Sequence, residues 1–201
     1  MLKLLLASNN PGKLREILAL LDDLPVELLT PQQVGLQLEV AEDGNTYAEN
    51  ASRKALAFSR AGGMLTLADD SGLEVEALHG EPGLYSARYN PKPGATDADR
   101  RTYLLQKLKG LPRPWLARFR CTVALASPGG EVEFAEGACP GEIIPQERGQ
   151  DGFGYDPIFL LTELDRTMAE LSMQEKNRLS HRARAVLAAR PLLTRWIHSE
   201  K

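Results

Sequence analysis

The stretch LLLASNNPGKLREI, residues 4–17, decides how this chain begins to fold. Leu4, Leu5 and Leu6 form an apolar run that reads as a buried strand. Leu14, Ile17, Leu18 and Leu21 then recur at the i, i+3, i+4, i+7 spacing of an amphipathic helix. Between the two lie Ser8, Asn9, Asn10, Pro11, Gly12 and Lys13. This turn has two readings. In one, Asn10 is an N-cap and Pro11 the first helical residue, and the turn only starts a helix. In the other, the unpaired N–H groups and partial positive charge of the helix N-terminus receive a phosphate. Ser8, Asn9 and Asn10 then add polar contacts and Lys13 a full charge. The stretch is not a P-loop: G-x-x-x-x-G-K-[ST] is absent, and Leu14 stands where the magnesium-binding hydroxyl would be.

Outward from this stretch, VELLT (26–30) reads as a second strand and EVAEDGN (39–45) as a polar loop. A helix is predicted over about 46–61, with Tyr47, Ala51, Ala55 and Phe58 on one face and Gly62-Gly63 ending it. MLTLA (64–68) reads as a buried strand that ends before Asp69. The order β-α-β-α-β argues for an α/β sheet with packed helices. Residues 80–95, rich in Gly and Pro, read as an ordered loop. The next helix runs from about 96 to 109, capped by Thr96 or Asp97. From 117 to 145 the pattern alternates about the turn signal SPGG (127–130), which predicts a long antiparallel hairpin. The end, from about 179 to 198, reads as helix, with Pro191 kinking or splitting it. There is no internal repeat or low-complexity segment.

The chain has 201 residues, 43% hydrophobic and 25% charged, which suits one globular domain with a sizeable core. Its net charge of −3 disfavours nucleic acid as a partner but leaves room for a local basic pocket. Cys121 and Cys139 have no metal-ligand spacing. The N-terminal apolar run is too short for a signal peptide, and no segment approaches the roughly 18 apolar residues of a membrane span. These features read as a soluble, cytoplasmic protein.

Four further stretches carry candidate chemistry. In LADDSGLEVEAL (67–78), Asp69 and Asp70 follow a buried strand, where an α/β sheet binds ligands. Two such close acids read either as a magnesium site or as a turn bonding its own backbone. Glu42 and Asp43 either complete a metal site or form a solvated loop. Thr46, Asn50 and Lys54 form a polar stripe; Lys54 reaches a phosphate or snorkels to water. In GQDGFGYDPIF (149–159), Phe153 or Tyr155 stacks on a base or fills the core. In EKNRLSHRAR (175–184), Lys176, His181 and Arg182 stand among basic residues that otherwise read as a solvated face, and no zinc pattern includes His181.

Six segments in order, ASNNPGKLREI, TYAENASRKA, LADDSGLEVEAL, PGLYSARY, GFGYDPIF and EKNRLSHR, resemble the Ham-type inosine/xanthosine triphosphatases, which act on deaminated purine nucleotides. The resemblance extends from residue 7 to 182. It implies an α/β fold with an elongated mixed sheet, flanking helices and two lobes around a central substrate cleft, all within one domain over 1–201. It also implies a homodimer and Mg²⁺-dependent hydrolysis of ITP, dITP and XTP to the monophosphate and pyrophosphate, which cleanses the nucleotide pool. The family's phosphate turn matches Ser8, Asn9, Asn10, Pro11, Gly12 and Lys13, and Lys54 matches its phosphate-facing lysine. Its metal ligands match Glu42 and Asp70, and Asp70 also matches its proton acceptor. Ser71 matches a substrate contact. Its base-binding residues match Phe153, Gly154, Tyr155 and Asp156, with Lys176, His181 and Arg182.

On this reading water attacks the α-phosphorus, and Arg182 or a backbone donor meets the oxygen at C6 of the base. Asp156 either touches the N1 edge or holds its loop. Rival readings are a pyrophosphatase of other modified nucleotides, a nucleotide sensor without turnover, and a nucleic-acid-binding module. The full acidic set beside two lysines opposes the sensor, and the net charge opposes the module.

Overall fold

A computed structural model describes residues 1–199. It contains a seven-stranded mixed sheet in the order β2-β1-β3-β4-β5-β6-β7. The strands are β1 (Leu2–Leu6), β2 (Val26–Leu29), β3 (Leu65–Val75), β4 (Trp115–Ala126), β5 (Val132–Ile143), β6 (Phe159–Leu161) and β7 (Arg166–Thr167). The helices are α1 (Pro11–Leu21), α2 (Tyr47–Gly62), α3 (Asp97–Leu108), α4 (Met173–Leu179) and α5 (His181–Ser199). The chain forms two compact units. One holds Met1–Asp70, Cys121–Gly137 and the segment from His181; the other holds Ser71–Arg120 and Ala138–Ser180.

In the first unit β1 pairs in parallel with β2 and with β3, and Leu4 and Leu6 lie opposite Leu65 and Leu67. Strand alternation sorts the side chains onto two faces. Leu4, Leu6, Leu65, Leu67, Cys121, Val123 and Leu125 pack with Ile17, Leu20 and Leu21 of α1 and with Ala185, Ala189 and Leu193 of α5. Leu5, Ala7, Ala68, Ala124 and Ala126 pack with Ala51, Ala55 and Phe58 of α2. Each fully buried Leu or Ile contributes roughly 1.5–3 kcal/mol to this packing. The small alanines on the α2 face leave room for the Phe58 ring. Gly137 on β5 allows α5 to approach closely, since a Cβ there would lie 2.3 Å from the His181 carbonyl oxygen. That approach fixes where α5 starts.

In the second unit Leu73, Val75, Phe119, Ile143, Tyr155 and Phe159 form a core against Leu104 and Leu108 of α3. The rings of Phe119 and Phe159 lie 4.5 Å apart. Thr96 caps α3 in a reciprocal capping box with Asp99, which decides between the two caps expected from the sequence.

The structure corrects two expectations and narrows a third. The strand expected to end at residue 68 continues to Val75, so Asp69 and Asp70 lie inside it. The buried stripe of α1 is Glu16, Ile17, Leu20 and Leu21, rotated from the expected one; Leu14 and Leu18 are partly buried beside it. The C-terminal helix starts at His181, after Ser180, and runs through Pro191 as a single helix, so of the two expected effects of Pro191, splitting does not occur. Proline there removes an N–H that would have bonded the carbonyl of Leu187.

Candidate active site

The turn after β1 is built by its own side chains. Asn10 is the N-cap of α1, and its Oδ1 accepts from the N–H groups of Gly12 and Lys13 at 2.8 and 3.1 Å. Ser8 Oγ accepts from the Asn10 N–H at 3.2 Å. Pro11 has no N–H to offer. The helix N-terminus therefore does not present unpaired N–H groups at these positions, which corrects that part of the phosphate reading. What the turn offers an anion is the helix dipole, the exposed Asn9 and the Lys13 ammonium. A pocket of about 620 Å³ lies beside it, lined by Asn9 and by residues such as Gln32, Gln37 and Glu39.

Asp69 and Asp70 are consecutive in β3, so their side chains leave the strand in opposite directions. Asp69 follows Leu65 and Leu67 to the α1 and α5 face. Its Oδ2 lies 3.0 Å from Lys13 Nζ and 3.1 Å from Arg182 Nε. Burial alone would push its carboxyl up, but Lys13, Arg182 and Lys54 outweigh burial and hold it well below the usual carboxylate range. Asp69 Oδ1 has no hydrogen-bond partner among the described residues. The neighbouring Cys121 thiol, buried and facing the Asp69 charge, is pushed up to about 12.

Asp70 follows Ala68 to the α2 face. Its Oδ2 accepts from Asn50 Nδ2 at 2.9 Å, and Asn50 Oδ1 accepts from the Gly44 N–H at 2.8 Å. Burial raises the Asp70 carboxyl, Asn50 and Lys13 work against that rise, and the Glu42 charge adds to it. Lys54 is ion-paired with Glu42 and donates to the Asp69 carbonyl oxygen at 3.1 Å. It thus bridges the acidic loop and β3, a third arrangement beside the two expected. Burial works against its charge, but Asp69 and Glu42 raise its pKa overall.

Among the described residues no group of three His, Cys, Asp or Glu is placed to hold a metal ion. Glu42 and Asp70 nonetheless fit magnesium. Both are hard oxygen donors, and the Glu42 charge already disfavours the ionised Asp70. Magnesium is usually held by one or two carboxylates with water and phosphate completing its shell, not by an all-protein cage.

The second unit holds Ser71 and the base-binding candidates of residues 153–156. Asp156 is 3% exposed, and its Oδ2 accepts from the Phe153 N–H at 2.8 Å and pairs with Lys176 Nζ at 2.7 Å. It holds its own loop. Tyr155 is a core residue whose hydroxyl donates to the Ser86 carbonyl at 2.9 Å. Phe153 is half-buried, with Lys176 Nζ 4.9 Å from its ring centroid. Of the two aromatics, Phe153 is the less buried. The amide of Gly154 is held on both sides: its N–H donates to Asp97 at 2.7 Å, and its carbonyl accepts from Arg101 at 2.8 Å.

Lys176 thus belongs to one unit, and His181 and Arg182 to the other. Arg182 is 1% exposed, with Nε on Asp69 and Nη1 on Glu16, so it is committed first to protein carboxylates. A base edge would have to compete with them. Two residues of the first unit escaped the sequence reading of site residues. Asn50 was visible as part of the polar stripe. Glu16 left a fainter signal, an acid one turn after Lys13 on the helix that follows the turn.

A parallel β-α-β start with a lysine-bearing turn, and two acids inside its third strand, defines an α/β protein. The model of the Ham1 family matches residues 4–192. The chain belongs to the Ham1 family. It is 46% identical over 201 residues to a protein of Desulforamulus reducens named dITP/XTP pyrophosphatase, covering 99% of this chain and 100% of that one. It is 48% identical over 187 residues to a Geobacter sulfurreducens protein of the same name, covering 92% and 94%. The solved structure of a HAM1 protein from Coxiella burnetii superposes with a TM-score of 0.88 at 39% identity, covering 97% of this chain and 100% of that one.

Proposed function

We propose that this chain hydrolyses dITP, ITP and XTP between the α- and β-phosphates, releasing the monophosphate and pyrophosphate. Its class is that of hydrolases acting on phosphoanhydride bonds, the chemistry carried in the names of its relatives. The observation that best supports the reaction is Asp70, a buried carboxylate held by Asn50, in the same unit as Lys13, Lys54 and Glu42.

Asp70 accepts the proton of the attacking water. Lys13 and Lys54 neutralise phosphate oxygens as charge shifts to the leaving pyrophosphate. Asn9 and Ser8 border the same turn. Glu42 and Asp70 would hold Mg²⁺, which when bound supplies further positive charge to the phosphates. Phe153, steadied through Asp156 and Lys176, is the stacking surface proposed for the base. Hypoxanthine and xanthine present an acceptor at C6 where adenine presents a donor. A buried protein donor left unpaired by adenine costs roughly 1–3 kcal/mol. A homodimer, a cytoplasmic location and a role in cleansing the nucleotide pool complete the proposal. Among the described residues no helix is long and apolar enough to cross a membrane.

The test is incubation of the purified protein with dITP, XTP, ATP and GTP, with and without chelator, and identification of the products. dIMP and pyrophosphate from dITP, little product from ATP or GTP, and none in chelator are the expected results. dIDP with orthophosphate moves the attack to the γ-phosphorus and overturns the mechanism. Binding without turnover overturns the enzyme reading itself.

A further inference from the structure

Glu16 has no part in the function proposed above, yet it is 2% exposed on a helix that starts at the phosphate turn. A glutamate is rarely buried this deeply unless it is paired. Its partner is Arg182 Nη1. The Arg182 Nε lies 3.1 Å from Asp69 Oδ2, and the same oxygen lies 3.0 Å from Lys13 Nζ. Lys13 and Glu16 stand three residues apart on α1, so they share one face of the helix. The four side chains form a closed ring: Lys13, Asp69, Arg182, Glu16, then back to Lys13 through one helical turn. Their charges alternate and sum to zero, and all four residues lie in one compact unit.

The ring has a consequence for the turn. Two cations share one oxygen of Asp69. Where Arg182 sits therefore affects how firmly Lys13 is held, and Glu16 pulls Arg182 from the other side. We infer that Glu16 is a positioning residue: by balancing the pull of Asp69 on Arg182, it fixes the Lys13 ammonium at the turn that receives the triphosphate. Without the Glu16 charge, Arg182 moves further onto Asp69 and Lys13 loses its place. This rests on the proposed function for the identity of the ligand. A merely structural Glu16 would tie α1 to α5 and act on stability without reference to Lys13.

The test is a double-mutant cycle of Glu16→Gln and Lys13→Met, with the single variants, the double variant and the parent protein compared. Three quantities are read: thermal midpoint, kcat and KM for dITP, and the calorimetric Kd for the α,β-imido analogue of dITP in EDTA. The inference expects Glu16→Gln to raise KM and Kd about tenfold while kcat changes little. It expects the same change to add almost nothing in the Lys13→Met background. Equal effects of Glu16→Gln with and without Lys13 overturn it, as does a lowered thermal midpoint with unchanged KM and Kd. If Glu16→Gln does not fold, Glu16→Asp, which keeps the charge and shortens the reach, enters the same cycle. Failure to turn over dITP in the parent protein strikes the functional proposal alone, because the analogue cycle still reports the link between Glu16 and Lys13.

Discussion

Asp69 and Asp70, neighbours in β3, hold opposite faces of the sheet: Asp69 meets Lys13 and Arg182, and Asp70 meets Asn50. Adjacent acids read along the sequence look like a repelling pair. In an extended strand they are separated by the sheet itself, and each works in its own environment. The same substitution at the two positions should therefore give opposite phenotypes. Asp70→Asn removes the proposed base and should lower kcat by about 10²–10⁴ while leaving the thermal midpoint nearly unchanged. Asp69→Asn leaves Lys13 without its buried counter-charge and Arg182 with Glu16 alone, and should destabilise the protein by about 3–5 kcal/mol. Denaturant unfolding and dITP kinetics on the two variants check this, and matching phenotypes would refute it.

The pH dependence of activity follows from Asp70. Its carboxyl is raised chiefly by burial, and the Asn50 hydrogen bond opposes that rise. The active form is ionised, so kcat/KM should climb as rising pH takes the proton from Asp70. Asn50→Ala removes the opposing hydrogen bond and should move this acidic limb to higher pH. It also strips the Gly44 N–H of its acceptor, which adds a stability loss of roughly 1–3 kcal/mol. A pH–rate profile whose limb stays in place would separate Asn50 from Asp70.

Asp69 governs acid stability with the opposite sign. Its folded pKa lies below the ordinary 3.8, so the stability it contributes is complete above that value. It is lost as the pH falls through the lower folded value. The difference in thermal midpoint between the parent and Asp69→Asn should accordingly be largest near neutrality and shrink below about pH 4. A difference that is constant with pH would assign the loss to packing instead of charge.

The loop that carries Phe153 depends on α3. Arg101 and Asp97 hold the carbonyl and the N–H of Gly154, and Arg101 also pairs with Glu147. Arg101→Ala removes a charge-assisted hydrogen bond worth roughly 1.5–3 kcal/mol to the loop. On the proposed reading KM for dITP should rise about tenfold with kcat little changed. If KM for dITP is unaffected, Gly154 and its neighbours do not handle the base.

Much of the fold was legible because local rules act on local spacing. Leu4 to Leu6, the Asn10-Pro11 start and the Tyr47, Ala51, Ala55, Phe58 stripe announced β1, α1 and α2. SPGG announced the turn between β4 and β5. The short strands β6 and β7 were not read, since two or three residues carry no period. β3 was cut short at Ala68 because Asp69, Asp70 and Gly72 look like a turn by composition. The strand persists because cations and Asn50 receive both acids.

What the sequence determined by itself is the set of chemical groups and the order of elements that carries them: the lysine-bearing turn, the two aspartates, the acidic loop and the family they resemble. What only the tertiary structure decided is which groups meet. Glu16 and Arg182 are separated by 166 residues, and no periodicity links them. They pair because α1 and α5 pack on the same face of the sheet, where a buried charge is stable only beside its opposite.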